Sequence, residues 1–116
     1  MEINEKEVDG ITILEIKGDI MADNRNELKV KFASLIENGK IKIVLNFKDI
    51  YVIDSSGIGL LISTLQKVRE KNGDIKILNI SGFAKRTFNV TGLNNIFHIF
   101  SSQDKAVGSF SVGDNF

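Results

Sequence analysis

The sequence predicts an α/β fold: one mixed β-sheet with helices packed against it, opened by an N-terminal β-hairpin. Three observations carry this prediction. Ile3–Val8 and Ile11–Lys17 flank Asp9-Gly10, a dipeptide suited to a tight hairpin turn. Two stretches with helical apolar spacing follow, around Leu28 and around Leu61. Each ends in Asn-Gly and runs straight into a further strand-like segment. Strands joined through helices pair in parallel and cross over right-handedly, so a hairpin followed by such units makes a mixed sheet.

The elements follow in order. Ile11-Thr12-Ile13-Leu14-Glu15-Ile16-Lys17 alternates well enough for the second arm of the hairpin. From Asn24 the period changes to that of a helix, with Leu28, Phe32, Leu35 and Ile36 on one face. Asn24 and Glu27 have the spacing of a capping box. Gly39 is placed to take the left-handed cap that stops this helix. Ile41–Phe47 then reads as a largely buried strand.

A second helix is expected from Ser56 or Gly57 to Lys71. Its apolar stripe is Ile58, Leu61, Ile62, Leu65 and Val68. Asn72-Gly73 ends it, and Ile75–Ile80 forms the next strand. Residues 37–43 and 71–77 look alike and read as two uses of one helix-stop-then-strand device. Ser81 is placed to cap a third helix running to about Val90 and closed near Gly92. Ile96–Phe100 suits a short edge strand, and Ser101 or Ser102 a cap for a last helix over 104–110. One domain over residues 1–110 is expected, with 111–116 as a loosely ordered tail.

Composition narrows the function. The 116 residues fit one compact domain, and a 42% hydrophobic content is enough for a core. Fifteen basic residues balance fifteen acidic ones, which argues against nucleic acid and anionic lipid as partners. Cysteine is absent, so disulfides and thiolate metal sites are excluded. No signal-like or membrane-length apolar segment occurs, and a cytoplasmic protein is expected.

The informative segment is Tyr51-Val52-Ile53-Asp54-Ser55-Ser56-Gly57-Ile58-Gly59. It sets a carboxylate and two hydroxyls at a strand-to-helix junction. A plain helix N-cap accounts for those residues. The same geometry tolerates an added phosphate, because a helix N-terminus presents free N–H groups and a positive dipole end. Other chemistries fit less well. His98, between Phe97 and Ile99, suits a strand position rather than a general base. Gly57-Ile58-Gly59 is too short for a dinucleotide fingerprint and lacks the Gly-Lys-Ser/Thr of a P-loop. No acidic pair supports a receiver-type phosphoacceptor at Asp54. Lys85-Arg86 reads as a solvated pair, and Phe83, Phe88, Phe97 and Phe100 as core.

Asp54-Ser55-Ser56-Gly57-Ile58-Gly59 at the head of an apolar helix resembles the signature of the STAS domain, in particular of anti-sigma factor antagonists. Val44-Leu45-Asn46-Phe47 is similar to the family's central strand. Ala84-Lys85-Arg86-Thr87-Phe88, Thr91-Gly92-Leu93 and Phe97 resemble its C-terminal signature. The resemblance runs from about Ile3 to Phe110. Two departures stand out: no proline precedes the third helix at Ser81-Gly82-Phe83, and the loop after Gly18 reads Asp19-Ile20-Met21.

The resemblance implies a single STAS-type domain that is a binding protein and not an enzyme, with no catalytic residue, metal or cofactor. It implies a monomer whose unphosphorylated form binds a serine-kinase anti-sigma factor and frees its sigma factor. Ser55 is the implied phosphoacceptor, with Ser56 the second choice, and a phosphatase acts on the phosphorylated form. Asp19, Asp23, Asp54, Ser55, Ser56, Gly57 and Ile58 are the implied partner-binding residues. The alternative is an unphosphorylated scaffold of the same fold in a stress-sensing or lipid-trafficking complex.

Overall fold

The Asp9-Gly10 turn sets the first register. Both residues take positive φ, 53° and 80°, the primed-turn geometry that matches the twist of the flanking strands. It joins β1 (Glu2–Val8) to β2 (Ile11–Lys17) as an antiparallel pair, with Val8 opposite Ile11 and Glu2 opposite Lys17. The computed structural model describes the backbone of residues 1–113 and the side chains of residues 1–111.

After the hairpin, strands and helices alternate: α1 (Arg25–Glu37), β3 (Lys42–Asp49), α2 (Ser55–Glu70), β4 (Asp74–Leu78) and α3 (Gly82–Thr91). A short 3-10 turn at Leu93–Asn95 leads into β5 (His98–Phe100), and α4 (Gln103–Gly113) follows. The sheet order is β1-β2-β3-β4-β5, parallel from β2 onward. Every crossover therefore steps one strand in the same direction. Right-handed connections then place α1, α2 and α3 on one face and leave the other to α4.

The core divides along that line. Leu14, Ile16, Ile43, Leu45, Phe47, Ile75 and Ile77 point into the three-helix side, packed with Phe32, Leu61, Leu65 and Phe88. Their strand neighbours Ile11, Ile13, Val44 and Leu78 point the other way, onto Ala106, Val107 and Phe110 of α4. This is the two-residue period of a sheet buried on both faces. Phe88 sits between Phe47 and Phe97, with ring centroids 5.5 and 5.9 Å away.

The two Asn-Gly helix ends are one motif set one residue apart. At the end of α1, the amides of Lys40 and Gly39 donate to the carbonyls of Leu35 and Ile36, and Gly39 takes φ +75°. At the end of α2, the amides of Gly73 and Asn72 donate to Val68 and Arg69, and the left-handed residue is Asn72, φ 67°. Both are Schellman ends. Gly73 is needed there for a separate reason: a Cβ would lie 2.1 Å from the carbonyl oxygen of Ile41.

Five expectations from the sequence are corrected. The buried stripe of α2 is Gly57, Leu60, Leu61, Thr64, Leu65 and Val68, while Ile58 and Ile62 are only partly buried. The helix is thus rotated toward its small residues. Asn24 is the N-cap of α1 but makes no side-chain cap bond, so the capping box with Glu27 does not form. Ser81 likewise precedes α3 without a side-chain cap bond. Phe83 is 63% exposed and lies outside the core, stacked under the Arg86 guanidinium. At the other end of the chain, α4 runs to Gly113, past the expected boundary at Phe110. The expected loose tail falls partly there and partly on residues 114–116, which lie outside the described residues.

Candidate functional site: two clasped loops at the head of α2

The parallel strands β2 and β3 end side by side, and the loops that leave them stay paired. The Gly18 amide donates to Asp49 O at 3.2 Å, Ile20 N to Val52 O at 3.0 Å, and Asp54 N to Ile20 O at 3.1 Å. Ile20 and Ile53 form a parallel bridge beyond the named strands. The carboxyl ends of parallel strands are where α/β folds place their sites.

Two carboxylates lock the loops reciprocally. Asp19, on the first loop, accepts from the amides of Tyr51 and Val52 on the second, at 3.2 and 2.9 Å. Asp54, on the second, accepts through Oδ2 from Ala22 N on the first, at 2.9 Å. Asn24 ties the first loop to itself, its Oδ1 accepting from Met21 N and its Nδ2 donating to Asp19 O. That role replaces the expected capping box.

Asp54 also caps α2. Its Oδ1 accepts from Gly57 N at 3.0 Å and from the Ser56 hydroxyl at 2.7 Å. These bonds hold its carboxyl below the ordinary range, the Ser56 hydroxyl contributing most, then the amides of Gly57 and Ala22, against a small opposing effect of burial. Donors that bind the anion favour it over the protonated form.

The remaining motif residues part company. Ser55 is the first residue of α2 and is exposed, and no hydrogen bond to its hydroxyl occurs among the described residues. Ser56 is half-buried and engaged with Asp54. Gly57 is buried, and a Cβ there would lie 2.8 Å from Ile20 Cγ2, Ile20 O and Ile53 Cγ1. It lets the helix close onto the loops and offers little surface to a partner. Gly59 faces open space, with nothing within 4 Å of a Cβ.

Of the residues expected at a partner surface, Asp23 is exposed, Ile58 is partly buried, and Asp19 is largely engaged within the clasp. Two others stand out in the solid. Tyr51 is 68% exposed and Met21 37%, one on each clasped loop. Sequence periodicity gives no signal for either, since both lie in loops. His98 is exposed on β5, and among the described residues no group of three or more His, Cys, Asp or Glu could hold a metal. No helix among them is long and apolar enough to cross a membrane.

Against known proteins, the sequence matches the STAS domain family over residues 2–106. The chain belongs to that family. The anti-sigma-B factor antagonist of Bacillus subtilis is 32% identical to this STAS domain over 95 residues, covering 81% of this chain and 85% of that one. A Thermotoga maritima protein described as a candidate anti-sigma factor antagonist superposes with a TM-score of 0.88 at 23% identity, covering 94% of both chains. The Bacillus cell fate determinant SpoIIAA in its phosphorylated form gives 0.71 at 20% identity, covering 93% of this chain and 98% of its own. Those two structural likenesses establish the shared fold.

Proposed function

We propose that this STAS domain is an anti-sigma factor antagonist whose unphosphorylated form binds a serine-kinase anti-sigma factor, and that phosphorylation of Ser55 ends the binding. The observation that carries this reading is the division of labour between the two serines. Ser56 is engaged in the Asp54 cap, whereas Ser55 stands exposed at the helix head. A kinase reaches Ser55 without dismantling the cap. Transfer forms a bond from Ser55 Oγ to the γ-phosphorus of ATP, breaks the bond to ADP, and releases the hydroxyl proton.

The effect on binding follows from charge. A phosphoryl group adds about two negative charges beside Asp54. The dipole end of α2 offsets part of this within the domain. A partner surface matched to the unphosphorylated loop meets the rest as repulsion and as a desolvation cost. Tyr51 and Met21, exposed on the clasped loops, supply apolar anchors of the kind that dominate protein interfaces. The relatives named as anti-sigma-B factor antagonists support the same reading.

The test is phosphorylation of the purified protein by candidate anti-sigma kinases with magnesium ATP, mapped by mass spectrometry. One phosphoryl group on Ser55, absent from Ser55→Ala, is the expected result. Ser55→Ala is expected to retain partner binding and Ser55→Asp to weaken it at least tenfold by calorimetry. Modification at Ser56 alone, or equal affinity of both variants, overturns the assignment.

A further inference from the structure

An opening lies beside the motif, between α1 and α2, with a volume of about 710 Å3. Both helices follow adjacent parallel strands, so they run side by side with their N-termini at the Ser55 edge of the sheet. Arg25 and Ser56 mark that end of the groove, and Glu37 and Lys67 the other. From Arg25 to Ile36 the helical rise gives a length of roughly 16 Å.

The floor is apolar, built by Phe32, Leu60 and Ile36. The hydroxyls along the wall are already satisfied: Ser63 and Thr64 both donate to Leu60 O, at 3.1 and 2.8 Å. Charge at the rim is uneven, with Arg25, Lys29 and Lys67 against Glu37. On the same helix, Lys31 is paired with Glu5. Among the described residues Arg25, Lys29 and Lys67 enter no ion pair.

Gly59 supplies an independent observation. It stands in the second turn of α2, where glycine is less favourable than alanine. Its φ is ordinary and no atom lies near a Cβ. Neither backbone conformation nor packing calls for glycine there. Its bareness does keep the groove wall low.

We propose that this groove binds a small anionic amphiphile, a single apolar chain with one carboxylate- or phosphate-type head. The head sits between Arg25 and Lys29, and the chain lies along Phe32, Leu60 and Ile36 past Gly59. The volume is that of small-molecule sites, about 300–1,000 Å3.

The test is titration of the isotope-labelled full chain with decanoate, followed by amide NMR. Saturable shifts confined to residues 25–37 and 55–67 are expected, with acetate and decanol each binding at least tenfold more weakly. Arg25→Gln with Lys29→Gln is expected to weaken decanoate about tenfold and leave decanol unchanged. Gly59→Leu is expected to block both, and Ser63→Leu serves the same purpose should Gly59→Leu fold poorly. Decyl phosphate binding in place of decanoate supports a phosphate head. The proposal is overturned by no saturable shift at millimolar ligand, by decanol matching decanoate, or by blocked variants that bind normally. Groove shifts that appear only on adding an anti-sigma kinase overturn it in favour of a protein occupant.

Discussion

Gly57 and Gly59 are the same residue on the same helix, two positions apart and so on nearly opposite faces. The first is buried against Ile20 and Ile53; the second faces open space. Ser55 and Ser56 divide the same way, one exposed and one held by Asp54. The motif is therefore two sets of residues interleaved. Asp54, Ser56 and Gly57 build the junction between two loops and a helix. Ser55 and Gly59 contribute nothing visible to it, and so remain for whatever approaches from outside.

Substitutions sharpen this contrast, and equilibrium denaturation measures each one. Gly57→Ala is expected to cost the most, about 1–3 kcal/mol, as overpacking does in a closed site. Two of the three atoms it meets are side-chain carbons that can shift. The third, Ile20 O, is held by the Asp54 amide and cannot. Stability unchanged by Gly57→Ala would break the division at its strongest point. Ser56→Ala comes next, at about 1 kcal/mol for a lost hydrogen bond.

That second substitution has a pH signature. The folded-state pKa of Asp54 lies below its ordinary value of 3.8, so its contribution is complete above that value. It is lost as pH falls through the folded pKa. The Ser56 hydroxyl is the largest cause of the lowering, so Ser56→Ala moves the acid loss of stability to higher pH. Carboxyl NMR titration of the two proteins reads it directly, and an unmoved Asp54 midpoint would discount the hydroxyl.

The outward set is expected to behave oppositely. Gly59→Ala should stabilise by about 0.5–1 kcal/mol, since a helix gains an alanine and nothing is displaced. Ser55→Ala should change stability by less than about 0.5 kcal/mol, as at an ordinary surface site. A large loss from either one would move it into the inward set.

The sequence carried the fold because its elements are locally punctuated. Asp9-Gly10 requires two positive φ values and so announces a hairpin, and Asn-Gly after a helical stripe announces a Schellman end. Where the structure departs from the sequence pattern, a tertiary contact decides the matter. Nothing local says that Asn24 turns back to Met21 and Asp19 instead of capping its helix. The stripe of α2 holds at Leu61, Leu65 and Val68, while Ile58 and Ile62 pack at its edge and close approach of the loops adds Gly57, which periodicity does not show. Phe83 looked like core by residue type, yet it lies at the exposed head of α3. In the site, Asp54 and the two serines were legible as a motif. Their division into inward and outward roles was not, since it depends on Ala22, Ile20 and Ile53 from elsewhere in the chain.

The reciprocal clasp of Asp19 and Asp54 has a consequence in time. Each loop holds the other's backbone, so a rearrangement of the surface around Ser55 has to break bonds on both loops. Closures of loops and lids commonly take microseconds to milliseconds; a clasp that stays shut adds no such delay. Its message is then written in charge rather than in shape. Under the proposed function it changes when a phosphoryl group arrives at or leaves Ser55, and the clock of that switch would belong to the enzymes that act on it.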